Sequence, residues 1–139
     1  MAVIDTRTLT LSDVVKEEYD PSSGITREVV TVNLAGATTL TAGAVLAKVT
    51  ATGKYLLQDA SLASGAGLEA AGVFLGKDEL TPTLAVAATT DTKVLMLARG
   101  PAKVVVGKLT FGAGTDTNAE KQAVYDALAA KGIVTVTAL

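Results

Sequence analysis

No histidine, cysteine or tryptophan occurs anywhere in the 139 residues. Without histidine, neither a Ser-His-Asp triad nor a Cys-His pair can be assembled, and the commonest general acid–base catalyst is missing. Without cysteine, disulfide scaffolds, thiolate metal sites and thiol nucleophiles fall together. Aromatics are scarce, with two Phe and three Tyr, so the platforms that stack on sugars and bases are nearly absent. Charge is scarce too. Charged residues make up 19% of the chain and the net charge is −2, which leaves no basic excess to neutralise phosphates. Long apolar runs are lacking, since stretches such as Val94–Ala98 are far too short to cross a bilayer. The start, MAVIDTRTLTLSDVV, places Asp5 early and has no continuous apolar core of the kind a secretory leader needs. Nucleic acid, membrane, metal and cofactor are therefore not expected partners.

What remains is a chain that is 49% hydrophobic and built from Ala, Val, Leu and Thr. Small and branched side chains suit closely spaced strands. Residues 40–59, LTAGAVLAKVTATGKYLLQD, state the pattern best. Two apolar runs, Ala44–Val49 and Tyr55–Leu57, flank the turn-like Thr52-Gly53-Lys54, with Gly43 at the outer corner. This predicts a short β-ribbon. Further strands are predicted at Val29–Leu34, Ala71–Leu75, Leu84–Ala88, Lys93–Ala98, Lys103–Val106 and Ile133–Thr137. Gly36–Thr41 reads as a turn-rich connection, Ser61–Gly67 as a small-residue loop, and Arg99-Gly100-Pro101 as a turn.

One helix interrupts the β pattern. Thr117 followed by Glu120 forms a capping box, and the stretch from Ala119 to Lys131 is rich in good helix formers. Val124, Ala127 and Leu128 share a face, and Gly132 is placed to stop the helix in a left-handed conformation. The fold class is therefore mainly β with one C-terminal helix, in a single compact domain.

Residues 1–24 stand apart. Leu9 and Leu11 alternate with Thr8, Thr10 and Ser12 at strand spacing, and Pro21-Ser22-Ser23-Gly24 is a strong break after the charged run Lys16–Asp20. This predicts an N-terminal arm (residues 1–24) ahead of a β-rich domain (residues 25–139). The alternative is that Arg7–Val15 is simply the first strand of the domain.

Candidates for chemistry dissolve on inspection. The carboxylate groups Glu17/Glu18/Asp20 and Asp78/Glu79 lie beside turn signals and read as solvated loop charge. Glu18, Asp20 and Ser22 have calcium-loop spacing, but the required glycine falls on Ser23 and the closing acid on Val29. Asp116, Asn118 and Glu120 alternate, and capping of the helix accounts for them. Gly112-Ala113-Gly114 precedes a helix, yet no Gly-Lys-Ser/Thr follows, so loop geometry is the expected reason for these glycines.

A set of ordered segments carries a resemblance. Arg27–Val32 (REVVTV) leads into Leu40–Val49 (LTAGAVLAKV) and then Gly53-Lys54-Tyr55. Leu68–Leu75 (LEAAGVFL) and Val94–Gly100 (VLMLARG) follow, then the capped helix and Gly132-Ile133-Val134. In this order, over roughly residues 25–136, they resemble the head decoration proteins of tailed bacteriophages, of the lambda type. Relatives often carry an aromatic-proline step before the helix, where this chain has Phe111-Gly112.

The resemblance implies a β-clip domain assembled as a homotrimer. It implies a cement protein of the virion, made in the host bacterial cytoplasm, that sits on the outer surface of the mature head and stabilises it. The partner would be the major capsid protein, and the N-terminal arm would order on the shell through Thr8, Leu9, Thr10, Leu11, Val14 and Val15. Two other classes compete. A ligand- or carbohydrate-binding β module would need more exposed aromatics than Tyr19, Tyr55, Phe74, Phe111 and Tyr125 supply. A trimeric β-clip nucleotide hydrolase would need an acidic residue in a Gly-rich pocket with a metal, and no such motif is matched.

Overall fold

Ten strands and a 13-residue helix form among the residues that the computed structural model describes, 14–18, 26–77 and 82–137. In chain order the strands begin β1 (Val15–Glu18), β2 (Arg27–Val32), β3 (Thr38–Thr41), β4 (Val45–Lys48) and β5 (Tyr55–Leu57). They continue as β6 (Ala70–Gly76), β7 (Thr83–Val86), β8 (Thr92–Leu97) and β9 (Ala102–Val105). Helix α1 (Asn118–Ala130) and β10 (Ile133–Val136) complete the set.

Five strands close a barrel in the order β2-β5-β4-β6-β8. The ribbon expected in residues 44–58 is the β4–β5 hairpin, with Leu46 opposite Leu57 and Lys48 opposite Tyr55. Its corner turns at Gly53, whose φ of +71° is open to glycine at no steric cost. β2 and β8 form the longest ladder, from Arg27 opposite Leu97 to Val32 opposite Thr92. β6 reads as an unbroken apolar run because both of its faces are covered. Phe74 points into the barrel with Val30, Val32, Leu46, Val94 and Met96. Val73 and Leu75 point outward into a second core.

That second core lies between the barrel and an outer layer. The layer is a three-stranded sheet, β1-β9-β10, with α1 packed beside it. Val104, Leu109, Val124, Leu128 and Ile133 supply the layer's half of the contact. β10 runs parallel to β9, Ile133 opposite Ala102, and α1 lies in the connection between them, as a parallel pair requires. The capping box forms as the sequence predicts, with Glu120 N–H donating to Thr117 Oγ1 (3.2 Å) and Thr117 N–H to Glu120 Oε1 (3.0 Å). Val124 and Leu128 are buried and Ala127 packs against them. The helix ends at Gly132, φ +85°, directly against Gly100, where an added Cβ would lie 1.8 Å from Gly132 O.

One expectation is corrected. The connection Gly36–Thr41 contains strand β3, which pairs with β7 and sets Leu40 opposite Leu84. Three threonines and a glycine mask the strand in sequence, but Leu40, 1% exposed, buries with Val86 in the barrel core.

Barrel closure is short. β2 meets β5 at one parallel bridge, Val32 opposite Tyr55, supported by Asn33 N–H donating to Tyr55 O at 2.9 Å.

Candidate functional site

The expected arm residues divide at Val14. Thr8, Leu9, Thr10 and Leu11 lie outside the described residues. Val14 is fully buried in the outer core, against the layer that holds Val104 and Leu109. Val15 pairs with Val104 and packs against the same cluster. After a bulge, the backbone of Glu17 lies opposite Lys103 and that of Glu18 opposite Ala102. β1 is thus an edge strand of its sheet.

Glu18 corrects a second expectation. It is not a solvated loop charge, because its side chain is 4% exposed. Arg27 grips it with two hydrogen bonds, Nε to Oε2 and Nη2 to Oε1, each 2.8 Å. The fully buried Thr26 hydroxyl donates to the same carboxylate. Burial pushes the Glu18 carboxyl up, but the Arg27 and Thr26 hydrogen bonds and the Arg27 charge outweigh it and hold the group below its ordinary value. A forked, part-buried pair of this kind fixes geometry as well as adding stability. It clamps β1 to the start of β2, so whatever precedes Val14 leaves from an immobilised root.

A second fixed feature is the loop from Gln58 to Glu69. Gln58 Nε2 donates to Leu68 O (2.7 Å), and the Thr115 hydroxyl donates to Gln58 Oε1 (2.8 Å) while accepting from Ala60 N–H (2.9 Å). Asp59 accepts from Ser61 N–H, Ser61 Oγ and Gly114 N–H, and the Ser61 bonds, chiefly the hydroxyl, hold its carboxyl below the ordinary value. An added Cβ at Gly112 or Gly114 would sit 2.6 or 2.0 Å from an Asp59 oxygen. Close approach to Asp59 therefore explains these glycines, as loop geometry predicted. The loop holds Leu62 and Leu68 in partial exposure.

The third feature was invisible in sequence. Where the barrel wall is open, a groove of about 650 Å³ is lined by Glu28, Lys48, Tyr55, Met96, Arg99 and Lys131, among others. Arg99 Nη2 meets Glu28 Oε2 at 2.6 Å. Burial raises the Tyr55 phenol above its usual range, and the Glu28 charge adds to the effect. These residues come from β2, β4, β5 and β8, from the turn after β8 and from the residue that follows α1, so no local motif could have joined them. Among the described residues no three acidic side chains converge as metal ligands would. Among them, too, no helix is long and apolar enough to cross a membrane.

A barrel with a clamped edge strand, a hydrogen-bonded loop and an open groove offers surfaces suited to binding. The comparison of the sequence with known families agrees. The family model of the bacteriophage lambda head decoration protein D matches residues 5–133, and the chain belongs to that family. None of the curated proteins compared with the chain matches it. Membership makes this a structural protein of the phage capsid family, with a capsid decoration role and a place on the virion.

Proposed function

We propose that the protein cements the phage head. It binds the outer surface of the mature shell as a homotrimer, on the major capsid protein, after synthesis in the host cytoplasm. The N-terminal arm makes the attachment, with Thr8, Leu9, Thr10 and Leu11 as its contacting stretch and Val14 and Val15 as its root. The observation that carries this reading is the clamped edge strand β1, from which the alternating Thr/Leu segment departs. The compact β-clip expected of the family is the reading we give to the barrel and its outer sheet.

An extended arm can add to a sheet edge on the shell, main-chain hydrogen bonds giving affinity and alternate side chains specificity. Burying Leu9 and Leu11 contributes about 3–6 kcal/mol per arm. Ordering ten or so residues costs roughly 1 kcal/mol or more each, which exceeds the leucine term, so main-chain hydrogen bonds and further contacts on the shell must supply the rest. One arm alone is weak. Three arms on one trimer act together, because the first to dock raises the effective concentration of the others. Binding only to the assembled shell stabilises that shell by mass action.

The test is co-sedimentation with purified heads before and after expansion, alongside light scattering of the free protein. Saturable binding to heads by a species of trimeric mass is expected. A protein that stays monomeric both free and on the particle, or that never sediments with heads, contradicts the proposal. A metal-dependent hydrolase activity that follows the protein through purification would favour the enzyme alternative.

A further inference from the structure

We infer that the open seam of the barrel is a second docking site, which takes an extended segment of the capsid subunit carrying an acidic side chain flanked by apolar ones. The inference rests on the head-decoration reading and adds to it the surface of the domain that faces the partner and the chemistry that fits there.

The seam follows from register. β5 begins at Tyr55, level with Val32, and runs parallel to β2 away from Arg27. Among the described residues no strand lies beside Glu28–Thr31 on the side opposite β8, and none of these four makes a backbone hydrogen bond there to a described residue. An unpaired edge of four residues spans about 13 Å and is a template for another strand. Val29 lies on this edge and is 65% exposed, the most exposed of the large apolar side chains among the described residues. An apolar strand residue beside unpaired backbone marks a surface that a partner covers.

Charge selects the occupant. Inside the mouth, Glu28 is held by Arg99. Glu69 accepts from the Ser64 hydroxyl and from Gly65 N–H (3.0 Å). Lys48 and Lys131 line the same groove and form no ion pair among the described residues. A strand laid along Glu28–Thr31 presents alternate side chains to opposite faces. One side chain enters the groove, where Ala70, Ala71 and Ala98 leave room and the two lysines call for a carboxylate. Its neighbours lie outside and cover Val29. A second copy of this chain is the competing occupant, and the identity of a crosslinked adduct separates the two. The capsid subunit is the partner that the decoration role brings to this surface.

The experiment places p-benzoylphenylalanine at position 29 of the full chain, loads it on expanded heads and irradiates. The expected product is a covalent adduct with the capsid subunit, mapped by mass spectrometry to one segment with Asp or Glu within about two residues of the attachment point, the reach set by strand alternation. An adduct with a second copy of the chain overturns the inference, and so does full decoration without an adduct. In parallel, Lys48→Glu together with Lys131→Glu should weaken head binding by about tenfold or more while the unfolding midpoint stays put. Unchanged affinity overturns the inference. If the parent protein itself fails to sediment with heads, it is the decoration reading that fails; normal sedimentation without either effect sinks the seam alone.

Discussion

The Thr115 hydroxyl donates a 2.8 Å hydrogen bond to Gln58 Oε1 from 57 residues further along the chain, and both residues are buried. The same hydroxyl accepts from Ala60 N–H, while Gln58 Nε2 holds Leu68 O. One side-chain pair therefore closes both ends of the Gln58–Glu69 loop onto the approach to α1. Thr115→Val keeps the shape but strands the Gln58 carbonyl and the Ala60 N–H. Leaving buried partners unmade should cost about 1–3 kcal/mol, read as a lower midpoint in urea unfolding. Thr115→Ser should recover most of the loss. An unchanged midpoint for the valine variant would mean that the pair only accompanies the loop's shape.

The Glu18–Arg27 clamp predicts a pH dependence. The folded state holds the Glu18 carboxyl below its ordinary value, so the unfolded state binds the proton more readily. The stabilisation is therefore complete above the ordinary carboxylate range and is lost as pH falls through the folded value. Asp59, Asp91 and Glu120 are lowered as well and act in the same direction. Comparison with Glu18→Gln isolates the clamp. The variant should be less stable at pH 7 by about 1.5–3 kcal/mol, with the gap narrowing in acid. A gap that stays constant from pH 7 to pH 3 would show that the charge of Glu18 is not what Arg27 binds.

Truncations should separate root from arm. Removing residues 2–13 leaves Val14, β1 and the Glu18 clamp in place, so the unfolding midpoint should stay within error of the full chain. Removing residues 2–20 takes away a fully buried valine, a strand of the outer sheet and the partner of Arg27. That loss should reach about 3 kcal/mol or more. Equal stability of the two truncated proteins would mean that β1 adds nothing to the domain.

Local chemistry made much of this fold legible. The hairpin at Gly53, the capping box at Thr117 and the stop at Gly132 each depend on a few neighbouring residues, and each formed as the sequence predicts. β3 escaped because its evidence is tertiary. Its pairing with β7, Leu40 opposite Leu84, and the burial of Leu40 in the barrel core are what distinguish a Thr-rich strand from a Thr-rich turn. Glu18 escaped for the same reason, since Arg27 and Thr26 lie beyond the Pro21–Gly24 break. The seam escaped altogether. Its lysines lie at the end of β4 and beyond α1, and the gap they border is set by where β5 begins relative to Val32. Register across a closed sheet leaves no trace in any single segment.

Attachment to the shell by the segment ahead of Val14 is the core of the proposed function. It is tested most directly by a binding isotherm on expanded heads, comparing the full chain with the chain lacking residues 2–13 and with Leu9→Asp/Leu11→Asp. Saturation by the full chain and little or no decoration by either variant are expected at micromolar concentration, with all three proteins equally folded. Unchanged affinity of the truncated protein would contradict the proposal and would move the attachment into the domain.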